Sequence, residues 1–384
     1  MKDKVRRKFI DLYNSEPLMV RSPGRINLIG EHTDYNDGFV MPAAIDREMI
    51  FAIGLSGNAS GATLYSLKHE ESVTFDVNNP MKVAAPLWAN YMLGVARGFI
   101  DRGYVLKGFN CVMDGDVPTG GGLSSSAALE CGFAFCLNEI FHFNVPKLEM
   151  VRMAQWSEHN YVGVMCGIMD QFASMMSESG KAFVLDCRSL SYEHFSLKLG
   201  DYAVVLCDTL VKHSLAGSEY NTRRTECEQG VRIIQRHYPG VRSLRDVSLK
   251  MLEKCEPEFT GKISDRCHYV VEENQRVIDA SRDLAAGDLP SFGKKMYLSH
   301  EGLSKKYEVS CDELDFLVDQ AKNFDGVLGA RMMGGGFGGC TINIVPKVSI
   351  DRFIDTLVNG YAVRFGYPME HYTVVLSAGT SLIN

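Results

Sequence analysis

The chain has 384 residues, 46% hydrophobic and 23% charged, proportions of a globular protein with a substantial core and two or three domains. A formal net charge of −7 argues against nucleic-acid binding as the main activity, without excluding a single anionic ligand held by local donors. Eleven cysteines, with no C-x-x-C pair and no His pair to complete a zinc set, point to reduced thiols buried in a cytoplasmic protein.

Met1–Ile10 is charged and lacks the apolar core of a secretory leader, and no stretch of about 18 apolar residues predicts a membrane span. Residues 5–13 fit a short amphipathic helix. Met19–Gly24 is predicted as an extended segment ending in a Pro-Gly turn. Arg25-Ile26-Asn27-Leu28-Ile29-Gly30-Glu31-His32-Thr33-Asp34-Tyr35 follows, with Asn36-Asp37-Gly38 behind it. The Ile26, Leu28 alternation is that of a strand with one buried face. Beyond Gly30 the polar cluster has two readings: a solvated loop with Asx-turns, or a pocket whose carboxylates and imidazole read a polyhydroxylated ligand. Residues 47–77 alternate as strands do, and Trp88–Phe99 fits a helix with Tyr91, Val95 and Phe99 on one stripe.

The most informative stretch is Pro118-Thr119-Gly120-Gly121-Gly122-Leu123-Ser124-Ser125-Ser126-Ala127-Ala128. Phe109–Met113 before it alternates like a strand, and Leu129, Phe133, Leu137 and Ile140 after it keep helical spacing. A strand, three glycines and a helix opening on three serines can bind an anion. The glycines let backbone N–H groups approach a ligand, and the helix N-terminus adds free donors and its positive dipole end. The serine hydroxyls can cap the helix, bind phosphate or ligate magnesium. The competing reading is an ordinary Gly-rich turn. The stretch is neither a P-loop, since no Gly-Lys-[Ser/Thr] follows, nor a dinucleotide or protein-kinase signature.

A helix is predicted over Leu148–Tyr161, carrying Glu158. In Gly163–Phe172, Asp170 stands among apolar residues, so it is either a helix cap or a desolvated functional acid. Strands are expected within residues 181–210, with a domain boundary near 195. Residues 219–325 are mainly helical, with one helix stopped at Gly287 and a capping box over Ser310–Glu313. Val327–Met333, Gly334-Gly335-Gly336-Phe337-Gly338-Gly339 and Cys340–Val345 predict strand, Gly-rich loop and strand. So many glycines imply close backbone approach, either tight loop packing or a second wall of the phosphate site.

Arg25–Tyr35, Pro118–Ala128 and Met333–Cys340, taken together, resemble the GHMP kinase superfamily. The first block, Cys166–Gln171 and Ser218–Arg224 are similar to galactokinases. One departure is Met333, where many relatives carry Thr. The resemblance implies a two-domain α+β fold, 1–195 with a mixed sheet and 196–384 with an antiparallel sheet, and the site between them. It implies transfer of the ATP γ-phosphoryl group to the C1 hydroxyl of α-D-galactose by a cytoplasmic monomer, with Mg2+. Asp170 matches the base and Arg25 its charge partner. Glu31, His32, Thr33, Asp34, Gly167 and Tyr220 match sugar contacts. Gly120, Gly121, Gly122, Leu123, Ser124, Ser125 and Ser126 match the nucleotide phosphate site, with Ser66, Trp88 and Tyr91 near the nucleotide. Ser126 and Glu158 match the magnesium ligands. Two alternatives stay open: a kinase for a related sugar such as N-acetylgalactosamine, and a non-catalytic sensor of sugar and ATP.

Overall fold

The computed structural model describes residues 1–211 and 216–383. A six-stranded sheet runs in the spatial order Ser381–Leu382, Leu18–Asn27, Pro42–Leu55, Phe109–Gly115, Gly61–Ser66, Glu71–Asp76. It is mixed: Gly61–Ser66 and Phe109–Gly115 are parallel, and every other pair is antiparallel. Helices Trp88–Ile100, Ser125–Phe141 and Lys147–Ser157 lie over it. Their apolar faces (Val95 and Phe99, Phe133 and Leu137, Met150 and Met153) meet Phe51, Ile53, Leu64 and Phe109 of the sheet in one buried cluster.

A second, fully antiparallel sheet has the order Gly329–Met332, Cys340–Pro346, Tyr202–Asp208, Glu370–Val374. The long helices Ile263–Ala286, Leu289–Lys305, Asp312–Asn323 and Ile350–Phe365 surround it. The two sheets share a core. Ile26, Leu28 and Met41 of the first part are buried with Leu206, Phe292, Ile342 and Met333 of the second. Burial of so many apolar side chains at about 25 cal/mol per Å2 holds the two parts together. A three-stranded sheet, Phe39–Val40, Lys181–Asp186 and Tyr192–Ser196, flanks this junction. The first sheet is completed by the chain's last described residues, since Val20 pairs with Leu382.

Three local expectations are corrected. Pro23-Gly24 is not a turn: Leu18–Asn27 runs straight through it, with a register shift between Pro23 and Arg25. A bulge re-aims the next side chain, here Arg25, and tolerates a proline. Gly24 is needed because a Cβ there would sit 2.7 Å from the Leu123 carbonyl oxygen. The helix carrying Glu158 ends earlier than periodicity suggests. It is α-helical over Lys147–Ser157, and Glu158–Val162 is a π-turn, a distortion common at functional sites. Ser310–Glu313 does not form a capping box. The N-cap of Asp312–Asn323 is Cys311, with no side-chain cap, and Ser310 Oγ donates instead to Asp315 Oδ1 at 2.5 Å. Elsewhere helix Ile263–Ala286 stops at Gly287 in the left-handed region, as expected.

Candidate active site

The site is built where the bulged strand, the glycine–serine bend and the start of helix Met169–Met176 meet. Arg25 is almost wholly buried, and its Nε and Nη2 both donate to Asp170 Oδ1, each at 2.8 Å. Its Nη1 donates to the Gly122 carbonyl, and its backbone N–H to the Leu123 carbonyl at 3.1 Å. The other oxygen of Asp170 accepts from Ser124 Oγ at 2.6 Å. Charge-assisted bonds of this kind are the strong ones. The carboxylate is thus held from both sides.

Around Asp170 a narrow polar cavity is lined by Arg25, Glu31, His32, Asp34, Tyr220 and Gly334–Gly335. Burial, and then the charge of Asp170, push the Asp34 carboxyl up to about 7. Gly167 lies against it, and a Cβ there would overlap Asp34 Oδ2. Burial pushes His32 down to about 3, so its imidazole is neutral. Its Nδ1 pairs with Tyr35 OH at 2.7 Å, and its ring packs 5.2 Å from that of Tyr220. Thr33 is turned away from the cavity, its hydroxyl facing the Gly30 and Phe39 carbonyls at 2.9 and 2.6 Å.

Glu31 has two donors on Oε1: Arg331 Nη2 at 3.1 Å and the Gly334 N–H at 2.8 Å. Arg331 is fully buried and also donates to the carbonyls of Leu28, Met332 and Asn27. The Gly-rich loop therefore packs on both the 31–34 cluster and the glycine–serine bend. A Cβ on Gly334 would meet Gly122 at 2.9 Å, and the Cys340 N–H donates to the Gly121 carbonyl at 3.2 Å. Tight loop packing, the first of the two readings of these glycines, is what this geometry contains. Met333 is buried in the shared core, with its Sδ accepting from the Asn27 N–H at 3.4 Å.

A second cavity lies against the bend. Ser66, Trp88, Tyr91, Ser125 and Ser126 line it together, with Lys68 and Thr119 at its edge. Gly120, Gly121 and Gly122 form the bend itself, with Gly120 and Gly122 at φ of 83° and 72°. Leu123 beside them is buried in the shared core. Ser126 Oγ donates to Glu158 Oε1 at 3.3 Å, and Gln171 Nε2 to Glu158 Oε2 at 2.8 Å. Burial, and then the charge of Asp170, raise Glu158 to about 7. Among the described residues no cluster of three or more His, Cys, Asp or Glu could hold a metal alone. A hydroxyl and a carboxylate fit a hard cation that keeps its waters and takes further oxygens from a bound phosphate.

The sequence and the fold are similar to those of known proteins. The galactokinase galactose-binding signature matches residues 7–55, the GHMP kinase N-terminal domain residues 90–178 and the GHMP kinase C-terminal domain residues 280–362. A galactokinase of Chloroflexus aurantiacus is 41% identical, covering 95% of this chain and 93% of its own. The chain belongs to the galactokinase family. A Thermotoga maritima galactokinase is 40% identical over 95% of this chain and all of its own. The crystal structure of Lactococcus lactis galactokinase complexed with galactose superposes with a TM-score of 0.95 at 36% identity, covering 99% of both chains.

Against the galactokinase motifs, sequence reasoning missed three residues. Arg331 looked like one more polar position in a strand, and nothing nearby signalled its partner 300 positions away. Glu130, on the serine helix, is fully buried and accepts from Gln171 Nε2 at 3.2 Å. A carboxylate inside the apolar run Ala127–Leu137 was the signal available for it. Lys68 reaches Thr119 Oγ1 at 3.5 Å, and only the pairing of neighbouring strands brings it to the bend.

Proposed function

We propose that Asp170 orients and deprotonates the C1 hydroxyl of α-D-galactose while the Gly120–Ser126 bend holds the ATP whose γ-phosphoryl group is transferred. The observation that carries this reading is the placement of Asp170, which lines the polar cavity and is fixed there by Arg25 and by Ser124 of the bend. Phosphoryl transfer needs little covalent chemistry from a protein, so positioning and electrostatics are the main tasks. Arg25 holds Asp170 through two bonds and lies close enough to stabilise charge on the transferred group. Glu31, His32, Asp34, Gly167 and Tyr220 shape the sugar side, with buried acceptors suited to hydroxyl protons. Thr33 contributes by holding that loop. Ser66, Trp88 and Tyr91 wall the nucleotide side. Ser126 and Glu158 would hold Mg2+, which neutralises phosphate charge when bound.

The same reading divides the chain near residue 195, and limited proteolysis between 196 and 202 tests that division. It also places a monomer in the cytoplasm. All eleven cysteines are free thiols, ten of them buried, which fits a reducing compartment, and among the described residues no helix is long and apolar enough to cross a membrane. Sedimentation and cell fractionation test both points.

Asp170→Asn should lower kcat for ATP-dependent galactose phosphorylation by about 10^3-fold, in the range general-base removal costs, and should also lower the Tm, because the buried Arg25 loses its carboxylate partner. Full kcat in a folded variant would remove Asp170 from the role of base. A panel of galactose, glucose and N-acetylgalactosamine decides the sugar, and ligand binding without ADP release would reveal a sensor instead.

A further inference from the structure

Ser124 is held in a backbone conformation that does not suit it. Its φ of 57° and ψ of 52° lie in the left-handed region, where a Cβ crowds the backbone and glycine is the usual occupant. The bend has glycine at its other left-handed positions, Gly120 and Gly122. Ser124 is also the residue preceding helix Ser125–Phe141, and its carbonyl accepts the Ala128 N–H at 3.1 Å. Its hydroxyl, however, makes no cap to that helix, so the ordinary use of a serine there is forgone. The hydroxyl goes to Asp170 Oδ2 instead, at 2.6 Å and 46 positions away in sequence. Glycine would satisfy the backbone without strain, but it would leave this oxygen without its protein donor.

The neighbouring residues serve the same pair. The Gly122 and Leu123 carbonyls accept from Arg25, which in turn holds Asp170 Oδ1. Three consecutive residues of the phosphate bend thus contact either the acid or its arginine. Strain at such a place is an observed outlier that points to function.

We propose that Ser124 is a positioning residue for phosphoryl transfer rather than a phosphate contact: its hydroxyl locks Asp170 Oδ2, so the carboxylate presents a single orientation to the sugar hydroxyl. The proposal rests on Asp170 being the base. Because the lock is part of the bend, a shift of the bend is passed directly to the acid.

The test compares Ser124→Gly and Ser124→Ala with the parent chain for kcat, KM for ATP, KM for galactose and Tm. Ser124→Gly should keep a Tm near the parent, because relaxing the left-handed residue offsets the loss of the hydroxyl's bond. Its kcat should nevertheless fall about 10- to 100-fold, as misplacement of a reacting group costs, while KM for ATP stays within about twofold. Ser124→Ala should lose kcat similarly, so the conclusion does not hang on one variant folding well. Parental kcat in Ser124→Gly would overturn the proposal. So would a raised KM for ATP at unchanged kcat, which would make Ser124 a phosphate contact. Asp170→Asn, assayed alongside, separates the two failures: a normal kcat there sinks the base assignment itself, whereas a low kcat there with a normal Ser124→Gly sinks only the lock.

Discussion

Arg331 Nη2 donates to Glu31 Oε1 at 3.1 Å, joining the first motif of the chain to the strand that precedes the last Gly-rich loop. Both side chains are buried, Arg331 completely. A buried pair is a modest source of net stability, but removing one partner strands the other charge. Arg331→Met should therefore destabilise the protein by about 3–5 kcal/mol, measured by urea unfolding. Arg331→Lys keeps the charge but not the fork that meets three carbonyls and a carboxylate. It should raise KM for galactose more than it lowers kcat.

Gly167 has no room for a side chain. A Cβ added at this position would overlap Asp34 Oδ2, so alanine has to displace the Asp34 carboxyl or the segment before helix Met169–Met176. Gly167→Ala should raise KM for galactose at least about tenfold, the value of one well-placed polar contact, and leave KM for ATP near the parent value. Steady-state kinetics in both substrates checks it.

Asp34 gives the unliganded protein a pH dependence. Its carboxyl titrates at about 7 when folded, against an ordinary value of 3.8. Between those values the folded chain holds a proton that the unfolded chain has released, so stability falls as pH rises through this window and levels off above about 7. Asp34→Asn removes the cost of a buried charge. Its Tm should exceed the parent by about 2–5 °C at about pH 8 and match it near about pH 4. Calorimetry at the two pH values reads the difference, and equal Tm values at the higher pH would refute the shift.

Glu158→Gln leaves the shape of the nucleotide side intact but halves the oxygen pair offered to a cation. The Mg2+ concentration giving half-maximal rate should rise at least about tenfold, while galactose binding measured without nucleotide is unchanged. An unaltered Mg2+ requirement would remove Glu158 from the ligand set.

Much of the site was readable because its chemistry is local. The Gly120–Ser126 bend, the 31–34 cluster and Asp170 each stand out against their immediate neighbours, and the three motifs keep their order. Helix Trp88–Ile100 was found close to its observed limits, and the stop of Ile263–Ala286 at Gly287 was legible though its start was not. What escaped depends on contacts between distant segments. The bulge at Pro23–Arg25 turns the Arg25 N–H to the distant Leu123 carbonyl, a contact that local turn chemistry does not signal. The Ser310–Glu313 pattern had the letters of a capping box, but Asp315 competed for the serine hydroxyl. Arg331 and the Ser124–Asp170 bond have no signature within a few residues of either partner.

The edge of the first sheet has a consequence for how the chain is made. Leu18–Asn27 is flanked on one side by Ser381–Leu382, and Ser22 Oγ meets Thr380 Oγ1 at 2.8 Å across 358 positions. During synthesis the outer edge of that strand at Val20 and Arg21 is left open until Ser381–Leu382 has been made. An open edge of this kind can recruit other strands. The Leu18–Asn27 strand should therefore need chaperone cover until the Ser381–Leu382 strand is available, and a substitution that breaks the Val20–Leu382 pairing would unsettle a strand made far earlier.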